Sequence, residues 1–205
     1  MKAIIIDDER LARAELKKLL QEFPEIEVID EAANAEEGIT KIESLHPDLI
    51  FLDIQMPGKT GFEMLSDLEK TPQVIFTTAY DEFALKAFEV NALDYLLKPI
   101  EPKRLADAIQ KLHLPEGKES RSETDEFVNT SLLTELDQVF VKDGEKCWFV
   151  KLGEIRLFES VGNYAKVFFG TNKPLILKSL NALEERLDEK SFFRANRKHI
   201  VNLRM

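Results

Sequence analysis

Cysteine is almost missing from this chain. Cys147 stands alone among 205 residues, which excludes an internal disulfide and a thiolate-rich metal site and fits a reducing compartment. With no convincing base beside it, Cys147 is expected to pack in the core. Long apolar runs are missing as well. The N-terminal MKAIIIDDE holds four apolar residues between a lysine and three acids, far short of a signal segment, and no later run approaches a membrane span. A cytoplasmic protein without membrane attachment is the expectation. There is no internal repeat, no low-complexity segment and no glycine-rich phosphate loop. Positive charge is in short supply overall, with 28 Lys and Arg against 38 Asp and Glu and a net charge of -10.

That average conceals an asymmetry. Residues 1–112 hold 13 basic and 23 acidic side chains, residues 113–137 hold 2 and 7, and residues 138–205 hold 13 and 8. An acidic front, an acidic joint and a basic back predict two domains with different partners. A content of 44% hydrophobic residues can supply a core for each.

The front segment alternates short aliphatic runs with helical periodicity. Residues 3–6, 27–32, 49–53, 74–78 and 93–97 read as strands. Ala12, Leu16, Leu19, Leu20 and Phe23, then Ala35, Ile39, Ile42 and Leu45, recur at helical spacing. The order βαβαβαβαβα predicts an α/β fold, a doubly wound five-stranded parallel sheet covered on both faces. Residues 114–129, rich in Pro, Gly, Ser and acids, read as a linker. From Gln138 the texture turns to strands: QVFVKD, KCWFVKL, EIRLFES, YAKVFF and PLILK, broken by Asp-Gly, Gly-Asn and Gly-Thr-Asn. A short amphipathic helix is expected over residues 179–187 with Ser179 as its cap, and the basic tail reads as strand again. The second domain is therefore expected to be mainly β. The boundaries read as 1–113, a linker at 114–135, and 136–205.

Ligands of an open parallel sheet bind beyond the carboxyl ends of its strands. The strand assignment puts Asp7, Asp8, Asp53, Thr78 and Lys98 at that one edge. Three carboxylates brought together repel unless a cation sits among them, and oxygen ligands with retained waters suit Mg²⁺. A lysine and a hydroxyl beside the metal suit the oxygens of a phosphoryl group. Asp53, at the end of the aliphatic run DLIFLD, is then placed to act as a nucleophile toward phosphorus. In isolation an aspartate before Met56-Pro57-Gly58 is ordinary turn chemistry; the five positions together favour the site.

Those residues carry a resemblance. Asp7-Asp8-Glu9, Asp53 within LDIQMPGKTG, Thr78-Ala79 and Asp94-Tyr95-Leu96-Leu97-Lys98-Pro99 resemble the receiver domain of two-component response regulators, a flavodoxin-like fold. The resemblance implies that Asp53 is the phosphoacceptor, that Asp8, Asp53 and the backbone carbonyl of Gln55 bind Mg²⁺, and that Asp7 acts through metal-bound water. It implies a switch pair, Thr78 and Tyr95, whose hydroxyl moves and whose ring swings inward, and a cis Lys98–Pro99 peptide. Gln55 and Tyr80 would flank the site and tune its lifetime. Aspartyl-phosphate hydrolases place a second acid two residues after the nucleophile; here that residue is Gln55, which cannot exchange protons usefully near neutral pH. The expectation is a stored phosphoryl group, with phosphotransfer and autodephosphorylation on the chain itself and no turnover of a free substrate.

In the back segment the cluster Arg194-Ala195-Asn196-Arg197-Lys198-His199, with no acid between Lys190 and Met205, is either a solvated edge or a nucleic-acid patch. ESVGNYAKVFF, KSLNALEERL and FFRANRKHIVN resemble a LytTR-type DNA-binding domain. That resemblance implies DNA contact through loops, with Asn163 and Tyr164 in one and Arg197 and Lys198 in another. Arg197 suits a guanine edge and Lys198 a phosphate. Asn196, Lys198 and His199 stand where the family usually has His, Ser and an aromatic. The family's domain also normally runs on past the position of Met205, so an incomplete domain with exposed edges is expected.

Together these imply a transcriptional response regulator whose partners are a sensor histidine kinase, DNA and a second copy paired through the receiver. The alternative is a receiver whose shortened output domain meets a protein partner or forms an inactive pair.

Overall fold

The computed structural model describes residues 1–79, 94–112, 132–144 and 146–205. The chain divides into two compact units, Met1–Leu114 with Lys146–Trp148, and Pro115–Glu145 with Phe149–Met205.

The first unit is built on five strands: β1 (Lys2–Ile6), β2 (Glu27–Ala32), β3 (Leu49–Asp53), β4 (Gln73–Thr78) and β5 (Asp94–Leu97). All four strand pairings are parallel, in the order β2-β1-β3-β4-β5. The strands match the sequence expectation to within a residue. Central β3 is buried at every position, as a strand covered on both faces must be.

Four helices are described: α1 (Arg10–Leu20), α2 (Ala35–Leu45), α3 (Gly61–Asp67) and α4 (Pro102–Gln110). The helix expected between β4 and β5 falls on residues 80–93, outside the described residues, as does most of the expected linker. Leu16 and Leu20 of α1 and Leu105, Ala108 and Ile109 of α4 close one core with Ala3, Ile5, Phe51, Ile75 and Leu96. On the opposite face, Phe62 of α3 packs its ring 5.0 Å from that of Phe76.

Local chemistry starts α2 and α3, which follow β2 and β3. The Asn34 side chain accepts from the Glu37 amide at 2.9 Å, while the Glu37 carboxylate accepts from the Ala33 amide. Thr60 and Glu63 form a complete capping box at the start of α3.

The second unit holds a five-stranded antiparallel sheet of β8 (Ile155–Val161), β9 (Tyr164–Phe169), β10 (Leu175–Ile176), β11 (Phe192–Asn196) and β12 (His199–Asn202), in the order β10-β9-β8-β12-β11. A two-stranded sheet of β6 (Gln138–Asp143) and β7 (Lys146–Lys151) precedes it. Alternate residues Phe158, Ala165, Val167, Phe192 and Ile200 are buried, and α5 (Leu180–Glu184) packs on β8, β11 and β12. Ser179 caps α5, its hydroxyl accepting from the Ala182 amide. The helix is shorter than its apolar pattern predicts. After Glu184 the chain turns so that Leu187 can bridge Leu133, with the Asp188 amide donating to the Leu133 carbonyl. That long-range pairing ends the helix. Cys147 is buried. Among the described residues no helix is long and apolar enough to cross a membrane.

Candidate functional site: an acidic strand-end centre and a basic hairpin pair

Strand order 2-1-3-4-5 brings the carboxyl ends of β1, β3, β4 and β5 side by side, and every acid, hydroxyl and amine expected at that edge is there. Asp7 and Asp53 are buried and Asp8 is exposed, yet one carboxylate oxygen from each lies within 4.8 Å of the others. The Lys98 ammonium sits between the two buried acids, 2.7 Å from Asp7 Oδ2 and 2.8 Å from Asp53 Oδ2, with Glu9 Oε2 at 3.6 Å. The second oxygen of each is held by backbone: Asp7 Oδ1 accepts from the Glu9 amide at 2.9 Å and Asp53 Oδ1 from the Gln55 amide at 3.1 Å.

Titration follows from this packing. Burial pushes the Asp7 carboxyl above the ordinary range, an effect that the hydrogen bonds from Lys98 and the Glu9 amide oppose without cancelling. Burial acts on Lys98 to lower its pKa, but hydrogen bonds to Asp53 and Asp7 outweigh it and the lysine is held above its usual range. Lys98 is therefore fully charged at neutral pH.

Thr78, the last residue of β4, is fully buried, and its hydroxyl has no hydrogen-bond partner among the described residues. Thr71 and Thr77 share that condition. Buried hydroxyls ordinarily find partners, so Thr78 is an unmet donor at the site edge. Its carbonyl accepts from the Lys98 amide at 2.8 Å, tying β4 to the residue after β5. The Lys98–Pro99 peptide is cis. Tyr95 is 9% exposed, so its side chain lies inside in this structure. Tyr80 lies outside the described residues.

Two supports of the site are not evident from the sequence pattern. A Cβ on Gly61 would stand 2.5 Å from the Asp53 carbonyl oxygen, so the first residue of α3 has to be glycine for the helix to approach the acid this closely. Asp94, at the start of β5, is buried between Arg104 at 3.1 Å and Lys111 at 2.9 Å. Arg104 also donates to the Tyr95 carbonyl. The glycine after Lys59-Thr60 is a signal that could have pointed to the first; the second depends on where α4 packs.

The second unit gathers its basic candidates at one end of its sheet. Gly162 and Asn163 form a two-residue turn between β8 and β9, with Gly162 at φ +61° and Tyr164 half exposed just beyond. Arg197 and Lys198 form a second two-residue turn between β11 and β12, both side chains exposed. Because β12 pairs antiparallel with β8 through His199 and Glu159, the two tips lie side by side. The Ser160 amide donates to the Lys198 carbonyl at 2.8 Å.

The cations of the cluster divide by role. Arg194 points back: Nε donates to the Asn196 carbonyl, Nη2 to the Arg197 carbonyl, and Nη1 meets Glu184 at 3.1 Å. Asn196 Oδ1 accepts from the Lys198 amide and lies 3.1 Å from His199 Nδ1. These contacts brace the turn whose tip carries Arg197 and Lys198. Arg204 pairs with Glu135.

Comparison with known proteins agrees with both halves. The response regulator receiver domain family matches residues 3–110, and the LytTR DNA-binding domain family matches residues 145–205. The chain belongs to the LytTR response regulators. An uncharacterized response regulatory protein of Vibrio cholerae is 42% identical across all of this chain and 83% of its own length. The sensory transduction protein LytT of Bacillus cereus is 35% identical over 99% of this chain and 83% of that protein. A crystal structure of the response regulatory domain of protein mrkE from Klebsiella pneumoniae is similar at 35% identity and a TM-score of 0.50, covering 55% of this chain and 94% of that one. This LytTR response regulator thus pairs a receiver with an output domain of a DNA-binding family.

Proposed function

We propose that this protein stores a phosphoryl group on Asp53 and converts it into dimerisation and DNA binding. The observation that carries the reading is Lys98 held between Asp53 and Asp7, beside an exposed Asp8 and a Thr78 hydroxyl without a partner among the described residues. A carboxylate oxygen of Asp53 attacks the phosphorus of a sensor kinase's phosphohistidine. The P–N bond breaks, its electrons return to the imidazole, and an acyl phosphate forms on Asp53.

The donor set fits Mg²⁺. Asp8, Asp53 and the Gln55 carbonyl offer hard oxygen ligands, with Asp7 acting through a bound water. When bound, the ion would offset the charge of the phosphoryl oxygens. Lys98 neutralises a second portion of that charge, and Thr78 moves its free hydroxyl onto a phosphoryl oxygen. Gln55, exposed and without a titrating proton, does not activate water, so the acyl phosphate persists.

Movement of Thr78 is coupled to buried Tyr95, on the neighbouring strand. The face to which β5 and α4 contribute then pairs with a second receiver, and two output domains engage adjacent DNA sites more tightly than one. Arg197 reads a base edge and Lys198 a phosphate, with Asn163 and Tyr164 at the adjoining tip. A cytoplasmic setting fits a chain whose single cysteine, Cys147, is buried. The deciding experiment is phosphotransfer from a small phosphodonor to the wild type and to Asp53→Ala, read by intact mass. A phosphoryl adduct is expected on the wild type alone; an equal adduct on the variant refutes the assignment.

A further inference from the structure

Helix α1 opens with the wrong charge. A helix N-terminus favours acids, yet after the Glu9 cap the first turn of α1 contains none, and Arg10 and Arg13 occupy its first and fourth positions. The end of the helix that faces the acidic centre therefore carries a cation that local helix chemistry does not call for. Such a local conflict is expected where a residue serves tertiary structure instead.

Arg13 has such a task. Helical side chains lean toward the N-terminus, so an arginine one turn into α1 covers the segment that precedes it. Arg13 Nη1 donates to the Asp7 carbonyl at 2.6 Å and lies 3.4 Å from that of Asp8. Its Nε meets Glu31 Oε2 at 3.2 Å, and the other oxygen of Glu31 is held by Lys17 at 2.8 Å. The Arg13 side chain is 13% exposed, so the fork is packed rather than solvated. The Asp7 amide donates to the Ala32 carbonyl at 3.0 Å, which ties the same segment to β2.

We propose that Arg13 is a positioning residue: by gripping the Asp7 and Asp8 carbonyls against Glu31 of β2, it sets the direction in which Asp8 offers its carboxylate to a divalent cation. This rests on the reading of Asp7, Asp8 and Asp53 as a cation and phosphoryl site. Lys98 and Arg13 differ in the oxygens they hold. Lys98 occupies carboxylate oxygens and competes with a metal for them, whereas Arg13 occupies only backbone carbonyls at the site and can stay in place when a metal arrives. Asp7 is fixed through both of its oxygens, but Asp8 is exposed, and the orientation of its backbone decides where its carboxylate points. A planar fork can hold two carbonyls and a carboxylate together; an ammonium cannot reproduce that geometry.

Mg²⁺ titration calorimetry on the full chain tests this with the wild type, Arg13→Gln, Arg13→Lys, Glu31→Gln and Asp53→Asn, each with its melting temperature recorded. Arg13→Gln is expected to weaken Mg²⁺ binding by about tenfold or more, the scale of lost outer-shell partners. Arg13→Lys is expected not to rescue it, and Glu31→Gln, which keeps an acceptor for the fork, to fall between. A purely structural Arg13 would lower the melting temperature while leaving the Mg²⁺ dissociation constant of the folded protein within about twofold of the wild type, and that result overturns the proposal. Should Arg13→Gln not fold, Arg13→Lys decides by the same twofold criterion. If the wild type shows no saturable Mg²⁺ binding, or Asp53→Asn binds as well as the wild type, the cation site itself is wrong and the role of Arg13 falls with it. If only the Arg13 variants bind normally, the site stands and Arg13 alone is dismissed.

Discussion

The two units use charge in opposite ways. In the receiver, Asp7, Asp53 and Lys98 are drawn inward and neutralise one another, so that each group is fixed by another group across the sheet. In the LytTR domain, Arg197 and Lys198 are pushed outward on a two-residue tip, while Arg194 and Asn196 fix only the backbone beneath them. Sheet type explains the difference. Parallel strands deliver their carboxyl ends to one edge, where loops from different strands converge on a small volume. An antiparallel sheet closes each end with tight hairpins that project into solvent and hold side chains apart. The first arrangement suits chemistry on a small group, and the second suits a broad polyanion.

Breaking the inward cluster gives the largest effects. Asp53→Ala is expected to abolish phosphotransfer, and with it any phosphorylation-dependent change in DNA affinity measured by gel shift. Lys98→Met leaves Asp7 and Asp53 facing each other without a cation. Denaturant titration without divalent metal should show a loss of about 3 kcal/mol, and added Mg²⁺ should recover part of it. If Mg²⁺ makes no difference to that variant, the two acids are not sharing a metal with Asp8.

Gly61→Ala comes next. Its Cβ must displace the Asp53 carbonyl or the start of α3, so a destabilisation of about 1–3 kcal/mol is expected by denaturant titration, together with slower phosphorylation. An unchanged phosphorylation rate would mean that the α3 approach does not help to place Asp53.

Asp94 tests the part of the receiver that is paired but lies outside the acidic centre. Burial raises its carboxyl, but Lys111, the Tyr95 amide and Arg104 more than compensate, and the group is held below the ordinary aspartate range. A depressed folded-state value means that the ionised form stabilises the fold. That contribution is fully present above the unfolded-state value and is lost as pH falls through the folded one. Asp94→Asn should therefore cost about 2 kcal/mol near neutral pH, and the gap to the wild type should close in strong acid. A gap that stays constant with pH would assign the loss to packing.

The outward cluster should respond through binding and not stability. Arg197→Ala is expected to weaken specific DNA binding by about 1–3 kcal/mol with an unchanged melting temperature. Arg194→Ala should lower the melting temperature and affect DNA only through the turn. Lys198→Ala should have the smallest effect, reducing the slope of affinity against salt by about one. Equal losses from Arg194 and Arg197 would erase the distinction between brace and reader.

Much of the receiver was legible because its signals are local. The β2 and β3 bounds match the aliphatic runs, and Asp53, Thr78 and Lys98 could be placed at strand ends by counting. Helix α5 was overestimated because apolar spacing continues to Leu187, while the bridge from Leu187 to Leu133 is invisible to periodicity. Arg194 looked like any other member of a basic run; only the fold of the hairpin turned it backward.

What the sequence determined by itself is the kind of element at each place and the chemical type at each strand end, since periods of two and near four, capping residues and turn glycines act over a few residues. What the tertiary structure decided is partnership: Lys98 between Asp7 and Asp53, two hairpin tips side by side, Arg13 behind the acids and Asp94 between Arg104 and Lys111. The pairing of Lys98 with Asp53 spans 45 positions, and the energy of all these contacts depends on strand order, register and exclusion of water, which no local pattern carries.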